Sequence, residues 1–257
     1  MVSRSTVTLS VALVVLLAGC SGVIGDDALV PGDGDDAAAI EYPAGYAESG
    51  VEDAELAAEN HADRVLEADS FAVTYKYDVD LPEGWTTVDV DYRVALDAEE
   101  SLQNAAVRST QRNVSTVTYH DGEAQYQRSE FEGEPSDVAV SDDPFDPEAL
   151  TAVEVVEPLL ANASYDEASV GERNGETVVI YEATDADADG DFLGVDDPEA
   201  VTDFSATLMV DTDGLVVAAE FDFSYVGEDD EERFVTMSYE LFDVGETSVD
   251  RPEWASE

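Results

Sequence analysis

The chain's 257 residues carry 62 Asp and Glu against 10 Lys and Arg, a formal charge of -52, while 44% of its residues are hydrophobic. No basic patch is present to neutralise phosphate, which argues against nucleic acid as a partner. The 11 Tyr, 9 Phe and 2 Trp argue against a disordered acidic chain, because such chains lack the means to build a core. Self-repulsion of this size acts over roughly 10 Å at 0.1 M salt and about 3 Å at 1 M, so a lysine-poor acidic surface (Lys76 is the one lysine) has the pattern of a halophile.

Arg4 puts a positive charge near the start, and Val7 to Leu17 follows as a mostly apolar run. The run is too short for the ~30 Å hydrocarbon core of a bilayer, but it suits the apolar segment of a signal peptide. It ends in Leu17-Ala18-Gly19-Cys20, which resembles a lipobox, and Cys20 is the chain's single cysteine. The resemblance implies that residues 1–19 are removed and that a lipid on Cys20 holds the protein at the extracytoplasmic face of the cell membrane. The alternative is an ordinary signal peptide with a chance cysteine. Residues 20–50 are rich in Gly, Asp, Ala and Pro, have no hydrophobic period, and read as an acidic tether, with Tyr42, Pro43 and Tyr46 as candidates for the start of the ordered part. Residues 51–257 read as one domain.

In that domain Val51, Ala54, Ala58, Ala62, Val65 and Leu66 recur at helical spacing and predict an alanine-faced helix over 51–68. The period then changes to two. Phe71, Val73, Tyr75, Tyr77 and Val79 share one strand face, and Val88, Val90, Tyr92, Val94 and Leu96 share another beyond a Pro82-Glu83-Gly84 turn. A third strand is expected over 105–112, then a hairpin around Asp121-Gly122 and an acidic loop over 130–146. Pro147 opens a second helix to Ala161, which Pro158 is expected to bend or shorten. Hairpins follow around Asn174-Gly175 and Asp213-Gly214, with an acidic connection over 185–202 between them and a last strand over 233–244. The order predicts an α+β fold: a single curved antiparallel sheet with helices packed on one face.

The helix feeding Ser70-Phe71-Ala72-Val73-Thr74-Tyr75, the Tyr119-to-Tyr126 hairpin and the Leu208-to-Val217 hairpin resemble the half-barrel lipoprotein carriers. These are the LolA/LolB lipoprotein-localisation factors and the LppX/LprG lipid-binding lipoproteins. Tyr42-Pro43-Ala44-Gly45-Tyr46 through Val51 resembles the opening of a group of uncharacterised haloarchaeal lipoproteins. The first resemblance implies a half-barrel and a lipidic or other hydrophobic ligand held without covalent chemistry. The other reading is an envelope interaction module, docked to a membrane protein or an S-layer.

Phe71, Tyr75, Tyr77, Tyr92, Tyr119, Tyr126, Tyr181, Phe221, Phe223 and Tyr225, with Phe234 and Tyr239, either line a ligand cavity or form the core. Asp185, Asp187, Asp189 and Asp191, with Asp196 at the twelfth position, match a calcium loop in their alternation, but Leu193 offers no oxygen at position nine. The alternative there is a solvated acidic loop. Asn113-Val114-Ser115 and Asn162-Ala163-Ser164 are glycosylation sequons. His61 and His120 lie on different elements with no third metal ligand of their kind, no Gly-x-Ser-x-Gly elbow exists, and no glycine-rich phosphate loop is present. No cofactor and no enzymatic activity are expected.

Overall fold

A computed structural model describes residues 30–31, 40–81, 84–186, 200–227 and 230–256. Cys20 and four of the five calcium-loop aspartates, Asp187, Asp189, Asp191 and Asp196, lie outside these residues. The elements in order are β1 (Val30–Pro31), β2 (Tyr46–Ala47), β3 (Gly50–Val51), α1 (Ala54–Glu67) and β4 (Ser70–Leu81). Next come β5 (Gly84–Ala95), β6 (Glu100–Ser109), β7 (Asn113–Asp121), β8 (Gln125–Phe131), β9 (Glu134–Pro135) and β10 (Ala139–Ser141). After α2 (Val153–Ala161) follow β11 (Ser169–Arg173), β12 (Glu176–Ala183), β13 (Val201–Asp211), β14 (Val216–Val226) and β15 (Glu232–Phe242).

α1 starts later than its periodicity predicts, because the Asp53 carboxylate accepts the Leu56 N–H at 3.0 Å and caps it there. Residues 50–51 serve instead as β3, paired with β2. The packed part of the chain also reaches back before Val51: Tyr46 is buried, and Ile40 and Tyr42 lie against the core. Gly45 makes this lead-in fit. Its φ is +87°, and a Cβ there would stand 2.5 Å from the Ala57 nitrogen.

The long strands are all antiparallel, in the order β1-β11-β12-β13-β14-β15-β4-β5-β6-β7-β8-β10. Two meanders are joined where the first long strand, β4, meets the last, β15 (Val73 opposite Leu241). Register shifts at Val201/Asp203 and Met209/Val210 add local twist between β13 and β14. The third long strand, β6, begins at Glu100 rather than Ala105, since Gln103 and Asn104 interrupt the hydrophobic alternation that would reveal it. The 130–146 stretch is not wholly loop, because β9 and β10 pair with β8 there. The second helix is also shorter than predicted. Glu148–Leu150 forms a 3-10 turn, and Ala152 at φ +60° separates it from α2. Pro158 sits inside α2 without ending it before Ala161.

Both helices cover one side of the sheet. Ala57, Ala58 and Val65 of α1 and Val156, Leu159 and Leu160 of α2 join Phe71, Val94, Tyr181, Leu208 and Phe221 in one core. His61 is fully buried at the centre of this layer. Its Nδ1 accepts the Val216 N–H at 3.2 Å, and its Nε2 lies 3.1 Å from the Thr151 carbonyl. A carbonyl only accepts, so Nε2 carries the proton and the ring is held as one neutral tautomer. Burial pushes its pKa down to about 4, against the opposing pull of that carbonyl.

Candidate functional site

The two faces of the sheet differ in charge. Alternation along β4–β8 and β12–β15 sends every Asp and Glu of these strands to the outer face, away from the helices. Lys76 pairs with Asp78 there at 2.6 Å, Arg108 with Asp89, and Asn104 donates to Asp91 at 2.9 Å. The inner face of the same strands carries no carboxylate, although the chain as a whole has 62.

On that inner face one cross-strand row is apolar from end to end. Ala206, Phe221, Met237, Tyr77, Val88, Val107, Val114 and Phe131 stand opposite one another in turn, from β13 to β8. The first three are buried, Tyr77, Val88, Val107 and Val114 are half-exposed, and Phe131 is exposed. The open part crosses five strands, roughly 19 Å at the usual strand spacing. The two helices pack over the other part of the face, against Phe71, Val94, Tyr181, Leu208 and Phe221. Polar but uncharged residues flank the open part: Thr116 and Ser129 on one side, their hydroxyls 3.1 Å apart, and Thr86 and Ser109 on the other. Burial raises the pKa of the Tyr75 and Tyr77 phenols, helped by Glu154 and Tyr225 respectively, so both remain hydroxyl donors.

The ten aromatic candidates divide three ways. Phe71, Tyr92, Tyr181 and Phe221 are in the main core: Phe71 and Tyr92 meet edge-to-face at 6.5 Å, and the Tyr181 hydroxyl donates to the Ala47 carbonyl at 3.1 Å. Phe223 is also buried, with Val235, in a smaller cluster that Tyr77 and Tyr225 border. Tyr75, Tyr77 and Tyr225 are half-exposed on the inner face. Tyr119 and Tyr126 lie on the outer face, where the C-terminal tail returns and sets the Arg251 guanidinium 5.7 Å and 5.0 Å from their rings. Of the two further aromatics, Tyr239 is buried against His61, and Phe234 is exposed on the outer face. Val88, Val107 and Val114, which form the track with Tyr77, were invisible as site residues because isolated valines in a strand read only as core.

The other candidates separate cleanly. Asn113 is exposed at the start of β7, whereas Asn162 is buried at the C-terminus of α2. Among the described residues no group of three or more His, Cys, Asp or Glu is arranged to hold a metal ion. No helix among them is long and apolar enough to cross a membrane. On the outer face a groove of about 810 Å³ opens beside the buried Arg173, which pairs with Glu240 and donates to the Val217 carbonyl at 3.0 Å. Asp91, Glu176, Asp211, Asp243 and Glu246 share its walls, an environment for solvent and cations rather than for an alkyl chain.

The chain is similar to the solved structure of LprF from Mycobacterium bovis, at 14% identity and a TM-score of 0.41, over 79% of this chain and 98% of that one. It is also similar to a putative outer membrane lipoprotein-sorting protein domain from Vibrio parahaemolyticus, at 8% identity and a TM-score of 0.28, over 79% and 98%. A DUF1329 family protein from Desulfovibrio piger gives 12% identity and a TM-score of 0.26, over 75% and 94%. Likenesses this distant carry no argument about what the chain binds. No curated protein matches it. Residues 5–257 match the family model described as Family of unknown function (DUF7537), and the chain belongs to that family.

Proposed function

We propose that this member of a family of unknown function binds a lipid on the inner face of its sheet, outside the cell and without covalent chemistry. Lipid on Cys20 would serve as its membrane anchor. The observation that carries the reading is the apolar row from Tyr77 to Phe131, left half-open beside a layer that is otherwise packed. An alkyl or isoprenoid chain laid along it would leave water at a gain of about 25 cal/mol per Å² buried. The charge of -52 and the single lysine support a home in strong brine, where the hydrophobic gain remains and outer-face repulsion is screened. The test is purification in molar KCl followed by mass spectrometry of organic extracts, for wild type and for Val107→Asp. A lipid that leaves with the wild type and not with the folded variant supports the reading. A lipid absent from the wild type, or held equally by both, overturns it.

A second reading, docking to an envelope protein, is favoured by Trp85 and Phe234. They are exposed at 50% and 57%, both on the outer face. Replacing both with Ser should abolish cross-linking to an envelope partner in native membranes and leave lipid extraction unchanged.

A further inference from the structure

The charged side chains on the outer face of β5–β8 are mostly engaged. Asp89 pairs with Arg108, Asp91 accepts from Asn104, Glu100 accepts from the Tyr119 hydroxyl, and Asp121 accepts from Arg251. Arg93, Arg128 and Glu130 are the exceptions, for none of them makes an ion pair or a side-chain hydrogen bond to the described residues. Arg128 and Glu130 stand two residues apart on one face of β8, about 7 Å at the usual rise, yet they do not pair with each other. Both line a cavity of about 250 Å³, together with Ser115, Val117, Pro135 and Trp254.

Two returning segments wall this cavity. The turn after β8 is tied back at Ser136, whose Oγ accepts the Ser129 N–H at 3.1 Å and whose own N–H donates to the Ser129 carbonyl at 2.7 Å. The C-terminal tail supplies the indole. Arg251 fixes that tail by donating to Asp121 at 3.1 Å and to the carbonyl of the buried Ala255 at 2.7 Å. A cation, a carboxylate, a hydroxyl and an indole therefore converge on one space, as the polar groups of a binding site do.

We propose that this cavity binds a small zwitterion, a molecule with one carboxylate and one quaternary ammonium joined by a short linker. Arg128 takes the carboxylate, in the two-point geometry that a planar guanidinium favours. The ammonium lies against the Trp254 ring, the aromatic type that attracts such cations most strongly, within reach of Glu130. Size sets the upper limit, since the cavity is smaller than the roughly 300 Å³ at which sites for drug-sized ligands begin. Charge sets the class. A simple anion meets the field of a chain of formal charge -52, and a simple cation finds carboxylates over the whole surface and gains nothing here. A zwitterion has no net charge to be repelled, and its two ends match two side chains left unpaired among the described residues. In molar salt such contact-range attraction is what survives screening. The site lies on the other face of the sheet from the apolar row and does not depend on it.

The test uses the full chain in molar KCl, with Trp85→Phe so that Trp254 is the remaining indole. Glycine betaine is the probe, and tetramethylammonium and acetate serve as its two halves. Glycine betaine should change the Trp254 fluorescence saturably, with either half binding about ten-fold more weakly or not at all. Arg128→Gln and Glu130→Gln, checked for folding by circular dichroism, should each weaken binding, the first by about ten-fold. Arg93→Gln, on the same face but outside the cavity, should leave it unchanged. The absence of a saturable change, tetramethylammonium binding as tightly as glycine betaine, or a loss in Arg93→Gln equal to that in Arg128→Gln would each overturn the assignment.

Discussion

The sharpest consequence of the fold concerns His61 and acid. In the folded protein its pKa is pushed down to about 4, against about 6.5 for a histidine free in water. The folded state therefore holds the neutral ring, and stability from this source is fully present above about pH 6.5. It is lost as pH falls toward 4, because the unfolded chain takes up the proton first. Between pH 7.5 and pH 4.5 the linkage is worth about 2–3 kcal/mol. Protonation would place a second N–H on Nδ1, facing the Val216 N–H that now donates to it at 3.2 Å. Other groups are shifted as well: burial raises the carboxyls of Asp211, Glu220 and Asp222, with help from neighbouring acids for the first two. They are shared by wild type and His61→Gln, so the difference between the two proteins isolates the imidazole. Urea unfolding followed by fluorescence in molar KCl should show the variant's relative stability improving by about 2–3 kcal/mol between pH 7.5 and pH 4.5. A difference that stays constant across that range would refute the buried neutral ring.

Gly45→Ala should lower stability by about 2 kcal/mol, through positive φ and the close approach to Ala57, as read from the urea midpoint. In protein from a glycosylating, exporting host, peptide mass spectrometry should find any glycan on Asn113 and none on Asn162, whose amide is buried beneath the end of α2. Cys20→Ser should release the protein into the medium or leave it unprocessed; a variant that stays processed and membrane-bound would remove the lipid anchor from the argument.

Local chemistry was legible in the sequence, and long-range pairing was not. Asp121-Gly122, Asn174-Gly175 and Asp213-Gly214 mark their turns because left-handed backbone is cheap there, and Gly122, Asn174, Gly175 and Gly214 all have positive φ. β4 and β5 show both faces in their alternation, down to Lys76 and Asp89 on the outer side. β6 hides because its inner residues, Gln103 and Ala105, serve an open face instead of a core. The meeting of β4 with β15 joins residues more than 160 positions apart (Val73 and Leu241), and no local signal encodes it. The same limit hid the fate of Tyr119 and Tyr126. Alternation placed them on one face, but only the returning tail decides that this face is the outer one and is nonetheless covered.

That tail answers a problem set by the sorting of charge. With every strand carboxylate on one face, rung after rung risks setting acid against acid, which destabilises a sheet. The registers avoid it: Glu220 faces Ser238 and Thr207, Asp222 faces Thr236 and Ser205, Asp78 faces Thr87, Asp89 faces Lys76, and Asp91 faces Asn104. Among the described strand pairs one rung breaks the pattern, Glu100 opposite Asp121. Arg251 donates to Asp121 at that rung, at 3.1 Å, and the Tyr119 hydroxyl donates to Glu100 at 3.2 Å. Burial works against ionising Asp121, but the N–H groups of Ala124 and Glu123, the Tyr126 hydroxyl and Arg251 together hold its carboxyl below the ordinary range. Arg251→Ala should therefore expose a repulsion between two acids whose Cα atoms stand about 5 Å apart across the rung. Such a pair is screened at 1 M salt, where the Debye length is about 3 Å, and felt at 0.1 M, where it is about 10 Å. The loss in thermal midpoint should grow as KCl is lowered toward the minimum that supports folding, and Glu100→Gln in the same chain should abolish that growth. A loss independent of salt would mean that Arg251 acts only by packing on the two tyrosine rings, and that the acid rung it covers was never a threat to the sheet.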